Sequence, residues 1–386
     1  MEYKKIGELT SVVTGGTPKT SHPEYWENGE IPWLQSGCCQ NCDVYSSEKY
    51  ITKEGYDNSS TRLMPADTVM IALTGATAGK IGYLRFEACG NQSITGIFPC
   101  NSLNQRYLFY FLISQRERIL SDCIGGAQPH ISQGYVKDIK IPIPTMEEQQ
   151  SIVKRLETTR QLIDQRQNEI KLLDQLIKAR FVEMFGDPVR NEKEWQTKAL
   201  EDACKSIVDC PHSTPSYTSE DTGFMCIRTS IVKKNRIMWE DIEYIPEEEY
   251  IQRIQRKKPE KGDVVYTREG AILGIAAVID RDCNVALGQR SMLLSPDRTF
   301  CTPEFISVAM NFDSFLDNAL KGMSGSASPH INVGDIKAFK MILPPIKQQE
   351  AFSAFVTQVD KSRFVIQKAL DEAQLLFDSL MQEYFE

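Results

Sequence analysis

The sequence has no long apolar run and no obvious export signal. Among its 386 residues the longest apolar candidate is Ala271–Ile279, which is far shorter than the roughly 20 residues that a membrane helix needs. The N-terminal stretch MEYKKIGELT has no apolar core of the kind that a signal peptide carries. These absences predict a cytoplasmic protein without a membrane span.

The cysteines follow no regular framework. There are eleven of them, and an odd count in a long chain without an export signal favours reduced thiols over disulfides. Cys38, Cys39 and Cys42 lie close enough in sequence to suggest zinc. A structural zinc site needs four ligands, however, and no second Cys-x-x-Cys pair is present. Small buried thiols beside a loop are therefore the favoured interpretation.

The chain also lacks an excess of positive charge. Its formal net charge is −8 at pH 7. A free-standing protein that grips nucleic acid usually has a basic balance, so this charge argues against that class. A net negative charge remains compatible with local basic patches, and also with a DNA-binding protein that works inside a larger assembly.

Catalytic motifs are missing as well. The stretch TGATAGKI resembles a phosphate-binding loop, but it is one residue too short between its glycines and Ile81 follows Lys80 where a hydroxyl is required. Two Asp-x-Lys triplets, at Asp138 and Asp335, do not align with each other as a repeated nuclease motif would. The two repeated histidines, His130 and His330, are expected to close a turn. The sequence therefore predicts no enzyme activity and no cofactor in this chain.

A long internal repeat is the main feature that the sequence does have. PHIS occurs at Pro129–Ser132 and PHIN at Pro329–Asn332, 200 positions later. The match extends over PHISQGYVKDIKIPIPTMEEQQ and PHINVGDIKAFKMILPPIKQQE. Each copy reads as a turn, a short apolar strand, a proline and the start of a polar helix.

Each copy of the repeat continues into a long helical pattern. Apolar residues recur at alternating steps of four and three, which is the seam of a coiled coil. Neither helix can bury its seam alone, so the two are predicted to pack against each other; the alternative is an ordinary amphipathic helix on each globule. The seam positions are Ile152, Leu156, Thr159, Ile163, Arg166, Ile170, Leu173, Ile177 and Arg180, then Phe352, Val356, Val359, Arg363, Ile366, Leu370, Ala373, Phe377, Leu380 and Tyr384.

The segments before the helices resemble each other more weakly. Pro65–Leu84 and Lys261–Ile279 both carry an Asp, a strand-like run and a Gly-x-x-x-Gly pair, and a glutamine follows each at Gln92 and Gln289. We predict an α+β protein with a pseudo-two-fold internal repeat, in which two β-rich heads are joined by two long helices that form an antiparallel coiled coil. The predicted segments are head 1 at 1–145, helix 1 at 146–185, head 2 at 186–344 and helix 2 at 345–386.

Two dissimilar heads on a helical scaffold would suit two half-sites on duplex DNA. Loops in both heads carry donors for base edges and phosphates, because Arg suits guanine, Gln suits adenine, and Lys mostly contacts phosphate. Ordinary solvated surface charge is the alternative for each residue. The candidate DNA-binding residues are Lys19, Thr20, Gln35, Arg62, Thr74, Thr77, Lys80 and Gln92 in head 1, and Arg228, Lys233, Lys234, Arg236, Arg268 and Arg290 in head 2.

The order of these segments resembles a known family. Head, IPIPTMEEQQSIVKRLE, long helix, FVEMFGDP, second head, LPPIKQQEAFSAFV and long helix follow one another over the whole chain. This arrangement is similar to the specificity (S) subunit of a type I restriction-modification system. VTGGTP at Val13–Pro18 and IPWL at Ile31–Leu34 resemble the opening of its target-recognition domain. Head 2 departs from that opening with SIVDCPHSTPSY, which suggests a different recognition subtype.

The resemblance implies a division of labour among subunits. Each head would be a target-recognition domain that reads one half of a bipartite site in double-stranded DNA, and the coiled coil would set the gap. Methylation (M) subunits carrying S-adenosylmethionine and restriction (R) subunits using ATP and Mg would dock on the scaffold. The chain itself would be non-catalytic. The alternative is an interaction scaffold of the same fold that does not read DNA.

Overall fold

The computed structural model describes residues 2–122, 130–270, 272–321 and 330–385. The chain divides into two compact units: unit 1 is Met1–Gln167 with Lys368–Glu386, and unit 2 is Asn168–Gln367. Among the described residues, no helix is both long and apolar enough to cross a membrane. The four segment limits given above remain a prediction.

The described residues of unit 1 form eleven short strands, five short helices and parts of two long helices. The strands are β1 (Tyr3–Lys5), β2 (Val12–Thr14), β3 (Ile31–Leu34), β4 (Cys42–Val44), β5 (Lys49–Ile51), β6 (Leu63–Met64), β7 (Val69–Ala72), β8 (Ile81–Leu84), β9 (Ala88–Gly90), β10 (Ile94–Ile97) and β11 (Lys140–Pro142). The helices are α1 (Ile6–Leu9), α2 (Lys53–Asp57), α3 (Gln105–Ser114), α4 (Arg116–Asp122), α5 (Gln133–Asp138) and the long α6 (Met146–Phe185).

Unit 2 repeats this inventory. Its strands are β12 (Thr197–Ala199), β13 (Cys204–Asp209), β14 (Met225–Ile227), β15 (Val232–Lys233), β16 (Arg236–Ile237), β17 (Glu243–Tyr244), β18 (Val264–Thr267), β19 (Ala276–Val278), β20 (Val285–Leu287), β21 (Ser291–Pro296) and β22 (Lys340–Ile342). Its short helices are α7 (Leu200–Ala203), α8 (Glu247–Arg253), α9 (Pro303–Met310), α10 (Asp313–Leu320) and α11 (Val333–Lys337). The long α12 (Ile346–Phe385) begins in unit 2, and its residues from Lys368 onward belong to unit 1.

The sheets of the two units share one strand order. The order β2-β10-β7-β8 in unit 1 corresponds to β13-β21-β18-β19 in unit 2, and β5-β3-β9 corresponds to β17-β14-β20. In both units the first strand pairs with the last, as β1 with β11 and β12 with β22. The internal repeat predicted from the sequence is therefore confirmed at the level of topology, although most side chains differ.

The coiled-coil seam is confirmed by burial. Every predicted seam position in α6 and α12 is buried or half-buried, while most of the remaining positions of the two helices are exposed. Inside unit 2 the helices run antiparallel, because Asp174 Oδ1 lies 2.7 Å from Nη2 of Arg363 while Phe181 contacts Phe352 further along. Inside unit 1 an early residue of α6, Arg155, likewise meets a late residue of α12, Tyr384.

The helix ends enter the cores of the heads, a feature that the seam pattern alone does not show. Phe181 and Phe185 of α6 join the core of unit 2, and Phe377, Met381 and Phe385 of α12 join the core of unit 1. Helix α6 then ends at Gly186, whose φ of +79° lies in the left-handed region that favours glycine.

The PHI repeat has a shared backbone role. Ile131 is buried and its amide donates to the carbonyl of Leu73, while Ile331 is buried and its amide donates to the carbonyl of Arg268. His130 and His330 are exposed beside these contacts, and Pro129 and Pro329 lie outside the described residues. The expected direct passage from turn to strand is wrong, because the short helices α5 and α11 intervene in both units.

One buried glutamine fixes the start of each long helix. Gln149 donates to the carbonyl of Pro144 at 3.0 Å and accepts from the amide of Asn104 at 2.8 Å. Gln349 donates to the carbonyls of Pro344 and Phe300 at 2.8 and 2.9 Å and accepts from the amide of Thr302 at 3.1 Å. The identity of Gln149 and Gln349 in the repeat thus reflects one hydrogen-bonded joint between helix and head.

Replacing Gln349 by Leu should lower the free energy of unfolding by about 2–3 kcal/mol, because it leaves buried backbone groups of Phe300, Pro344 and Thr302 without a partner. Urea unfolding of the full chain measures this change. The exposed neighbour Gln348 provides the matched control, since Gln348→Leu should change stability by less than about 0.5 kcal/mol. Equal effects of the two substitutions would show that the joint does not stabilise the fold.

Candidate nucleic-acid interface

Several loops of unit 1 meet beyond the ends of strands β3, β7 and β9. The amide of Gly16 donates to the carbonyl of Gly90 at 2.9 Å, that of Asn91 to Leu34 at 2.9 Å, and that of Leu73 to Ser93 at 2.8 Å. These bonds bring together five of the residues in and beside the loops. We call this surface edge 1 and define it by Thr17, Gln35, Arg62, Thr74 and Gln92.

Side-chain contacts connect edge 1 further. The hydroxyl of Thr17 donates to Oε1 of Gln92, and the hydroxyl of Thr74 lies 2.9 Å from that of Ser93. Arg62 is exposed and follows Thr61, whose hydroxyl donates to the carbonyl of Gly90 at 3.0 Å. Four of the five members, all except Thr17, are among the DNA-binding residues predicted in head 1. Thr17 was not predicted, although it lies inside the VTGGTP motif.

The two glycines of VTGGTP permit the close approach of these loops. A Cβ atom at Gly15 would lie 2.1 Å from the carbonyl oxygen of Gly90, and one at Gly16 would lie 2.3 Å from Oγ of Ser60. The carbonyl of Gly16 also accepts a hydrogen bond from the indole of the buried Trp33 at 2.9 Å. No larger residue fits at either glycine. The two glycines therefore allow the loop to approach closely enough for Thr17 to contact Gln92.

Unit 2 builds the corresponding surface with a partly different set of residues. The amide of Gly288 donates to Ile227 at 2.8 Å and that of Arg268 to Arg290 at 3.0 Å, as Asn91 and Leu73 do in unit 1. The hydroxyl of Thr214 lies 3.4 Å from Oε1 of Gln289. We define edge 2 by Thr214, Arg228, Gln289 and Arg290.

The proposed departure of head 2 from the VTGGTP opening needs a correction. Thr214 and Pro215 stand 197 positions after Thr17 and Pro18, the same separation that relates Gln289 to Gln92. Both prolines are buried, and both threonines contact the corresponding glutamine. The Thr-Pro pair is thus retained, while the four residues before it, VTGG in head 1, are replaced by CPHS in head 2. A search at an offset of 197 instead of 200 could have found it from the sequence.

Arg268 is a buried support of edge 2. Its side chain is 7% exposed, and its Nε lies 3.0 Å from Oδ1 of Asp209 while Nη2 lies 2.8 Å from Oε1 of Glu269. The other oxygen of Asp209 lies 3.0 Å from Nε2 of His212, which is exposed. The burial and the ion pairs of its side chain therefore assign Arg268 to support of the backbone at Arg290, to whose carbonyl its amide donates, and not to direct contact with DNA.

Arg253 plays a comparable supporting role that the sequence did not suggest. Its side chain is 2% exposed and pairs with Glu249 at 2.6 Å. Its terminal nitrogens donate to the carbonyl of Ser213 at 2.8 Å and to the carbonyl of Leu287 at 3.3 Å. It thereby ties the Thr214 loop to strand β20. An arginine inside an otherwise acidic helix, EEEYIQR, is the available sequence signal.

The remaining candidates lie apart from the two edges or at their rims. Lys80 reaches Oε1 of Gln40 at 2.7 Å. Lys234 reaches Asp313 at 3.0 Å, and this hydrogen bond lowers the pKa of that carboxyl group. Lys233 donates to the carbonyl of Ser230 at 2.8 Å. Arg236 is half-buried in β16, Thr77 is half-buried in the turn before β8, and Lys19 and Thr20 are exposed on the loop after Pro18.

Lys80 and Lys234 belong to matching corners of the two units. The amide of Asn41 donates to the carbonyl of Ile81, the amide of Asn235 donates to that of Ala276, and both asparagines have positive φ angles. Lys234 immediately precedes Asn235, as Gln40 precedes Asn41. This corner is distinct from the edges, because it faces helix α10 through Asp313 in unit 2.

No cluster of three or more His, Cys, Asp or Glu side chains suited to a metal ion occurs in the part of the chain that the structure describes. Cys38 and Cys39 are half-buried and buried, respectively, and Cys42 is exposed. The side chain of Cys38 is the main cause that raises the pKa of Cys39, and burial raises it further. The expectation of buried thiols therefore holds for Cys39 but is wrong for Cys42, which is exposed at the start of β4.

Comparison with known proteins identifies the family. Residues 1–172 and 192–373 match the model of the type I restriction modification DNA specificity domain. The chain therefore belongs to this family of specificity subunits and contains its domain twice.

Relatives and solved structures agree with this assignment. The chain is 33% identical over 162 residues to the type I restriction enzyme EcoR124I/EcoR124II specificity subunit of Escherichia coli, a match that covers 41% of this chain and 40% of that subunit. It is 24% identical to the MjaIX specificity subunit of Methanocaldococcus jannaschii, over 98% of this chain and 91% of that one. The crystal structure of an S subunit from M. genitalium shares the fold, with a TM-score of 0.57 and 14% identity over 100% of this chain and 96% of that one.

Proposed function

We propose that each head reads one half of an asymmetric, bipartite target in double-stranded DNA. The observation that carries this proposal is that edge 1 and edge 2 share a backbone frame and the Thr–Gln contact but differ at other matching positions, where Gln35 corresponds to Arg228 and Ser93 to Arg290. A shared frame would present both edges to DNA in the same manner, and different side chains would recognise different bases. Residues 1–145 and 186–344 would form the two target-recognition domains, and 146–185 and 345–386 the spacer helices.

The candidate contacts divide into two kinds on this proposal. Gln35, Arg62, Thr74, Gln92, Arg228 and Arg290 would face base edges, because they lie on or beside the two edges. Lys19 and Thr20 and the corner residues Lys80, Lys233, Lys234 and Arg236 would contact phosphate, which positions the protein without reading sequence. Thr77 would support the turn of edge 1.

The chain would supply the address and leave the chemistry to its partners. We propose that methylation subunits, with S-adenosylmethionine, and restriction subunits, with ATP and Mg, assemble on this chain in the cytoplasm. The names of the relatives, which are specificity subunits of type I restriction enzymes, support such an assembly. Partner subunits would also supply much of the phosphate contact that a chain of net charge −8 lacks.

Modified-base sequencing tests this function directly. The chain is co-expressed with its methylation subunit in a bacterium free of DNA methylation, and the genomic DNA is sequenced. We expect a new methylated motif with two different half-sites and a fixed gap. The methylation subunit alone provides the control and should leave no such motif. An assembled, soluble complex without any new mark would instead favour a scaffold that does not read DNA.

A further inference from the structure

Gln35 and Arg228 occupy matching positions in the two heads. Each directly follows a strand, β3 or β14, that pairs in parallel with β9 or β20. Each also precedes a short 3₁₀ turn, with φ and ψ of −102° and 153° at Gln35 and −87° and 154° at Arg228. Their carbonyls accept from the amides three residues later, Cys38 at 3.0 Å and Ile231 at 3.2 Å.

Both positions lie beside the Thr–Gln contact of their edge. The residue before Gln35, Leu34, accepts from the amide of Asn91, which precedes Gln92. In unit 2, Ile227 before Arg228 accepts from Gly288, which precedes Gln289. Because the neighbouring backbone is the same, a side chain at position 35 and one at position 228 would meet the same place on their respective half-sites.

We propose that these two positions read one equivalent base pair in each half-site, Gln35 an adenine and Arg228 a guanine. Glutamine presents the donor and acceptor that match adenine in the major groove, and arginine presents two donors that match guanine. This inference rests on the proposed function and makes it specific, since it assigns one base preference to one residue of each head.

The surroundings of Arg228 hold its guanidinium ready for such a contact. Oε2 of Glu243 lies 2.9 Å from Nε, and the side chain is 39% exposed. The guanidinium carbon lies 5.4 Å from the centre of the Tyr217 ring. An arginine that is paired with a carboxylate and placed beside an aromatic ring loses less conformational freedom on binding, and the two terminal nitrogens of a guanidinium suit a bidentate contact with a base. Gln35 is exposed on its edge.

Exchanging the two residues tests the assignment. Gln35→Arg and Arg228→Gln are each co-expressed with the methylation subunit, and the methylated motif is determined by sequencing. We expect Gln35→Arg to change one base pair of one half-site from A·T to G·C, and Arg228→Gln to make the opposite change in the other half-site. The preference for the new base should reach about 10- to 100-fold, as for a bidentate base contact. The gap and the untouched half-site should stay the same.

Two controls separate reading from a general disturbance. Gln150→Arg and Arg298→Gln change exposed residues of the same types outside the edges and the corners, and both should keep the wild-type motif. Gln35→Ala removes the side chain without adding bulk and should accept all four bases at the affected position. If Gln35→Ala keeps full selectivity at every position, or if the exchanged variants methylate the wild-type motif unchanged, the assignment is wrong.

If the exchanged variants lose methylation altogether, measurements of DNA binding still test the assignment. Purified complexes are titrated against a panel of duplexes that differ from the wild-type motif by one base pair. Tighter binding to the duplex with the exchanged base supports the assignment, and equal weakening on all duplexes overturns it. If the wild-type complex itself leaves no bipartite mark, the proposed function fails, and this inference fails with it.

Discussion

Phe181→Ala is expected to lower the free energy of unfolding of unit 2 by about 3–5 kcal/mol, which is the usual cost of removing a buried phenylalanine. Phe181 is fully buried, and its ring centre lies 5.0 to 5.5 Å from those of Phe185, Phe305, Phe312 and Phe352. These rings come from both long helices and from the head, so the cavity would open where the three meet.

Hydrogen exchange of the full chain, followed by mass spectrometry, measures this effect separately for the two units. Val182→Ala provides the matched control, because Val182 is the next residue of the same helix and is 43% exposed. Met381, which stands 200 positions after Phe181 and is 9% exposed, should act on unit 1 when it is replaced by Ala. Similar small effects of Phe181→Ala and Val182→Ala would contradict the packing described here.

Asp209→Ala is expected to destabilise unit 2 by about 3 kcal/mol, because it leaves a buried guanidinium short of its partner. Arg268 would keep the contact with Glu269, which is half-buried, but lose the two hydrogen bonds that its Nε and Nη2 make with Asp209. The amide of Arg268 donates to the carbonyl of Arg290, so a shift of Arg268 should disturb edge 2 and leave edge 1 unchanged. On the proposed function, selectivity should fall in one half-site only.

A double variant distinguishes the buried charge from a general loss of structure. Replacing Arg268 by Met in the Asp209→Ala background removes the unpaired charge and keeps an apolar side chain of similar length, so part of the lost stability should return. The exposed Asp282 provides a control whose replacement by Ala should change little. Thermal unfolding of the wild type, Asp209→Ala, the double variant and Asp282→Ala gives the comparison. A double variant that is less stable than Asp209→Ala would contradict the role assigned to the pair.

The repeat and the helices could be predicted from the sequence because their signals are local and periodic. The seam of α6 and α12 follows from spacing alone, and the helix end at Gly186 follows from the glycine itself. The insertion of helices α5 and α11 was missed, because six- and five-residue helices carry too few turns to show a period. The entry of Phe181 and Phe385 into the heads was not visible for another reason, since the seam pattern does not show which parts of the heads lie beside the helix ends.

The candidate site was predictable by residue type but not by position. Gln35, Arg62, Thr74 and Gln92 come from four separate loops, and only the backbone bonds between Leu34, Leu73, Gly90 and their partners bring them together. Arg268 shows the opposite case, since its type suggested a DNA contact while burial and Asp209 assign it to support. Burial of a long charged side chain depends on tertiary packing, which no local pattern reports.

The discontinuity of unit 1 has a consequence for synthesis on the ribosome. Unit 2 is one continuous segment, Asn168–Gln367, whereas unit 1 needs Lys368–Glu386 as well as the first 167 residues. Tyr107 packs against Phe385, and Phe377 and Met381 belong to the same core. Domains fold as their residues emerge. Unit 2 is therefore complete as soon as Gln367 has emerged, before unit 1 has its C-terminal residues, although synthesis of unit 1 starts earlier. The N-terminal head must wait with an open core until the last turns of α12 leave the exit tunnel.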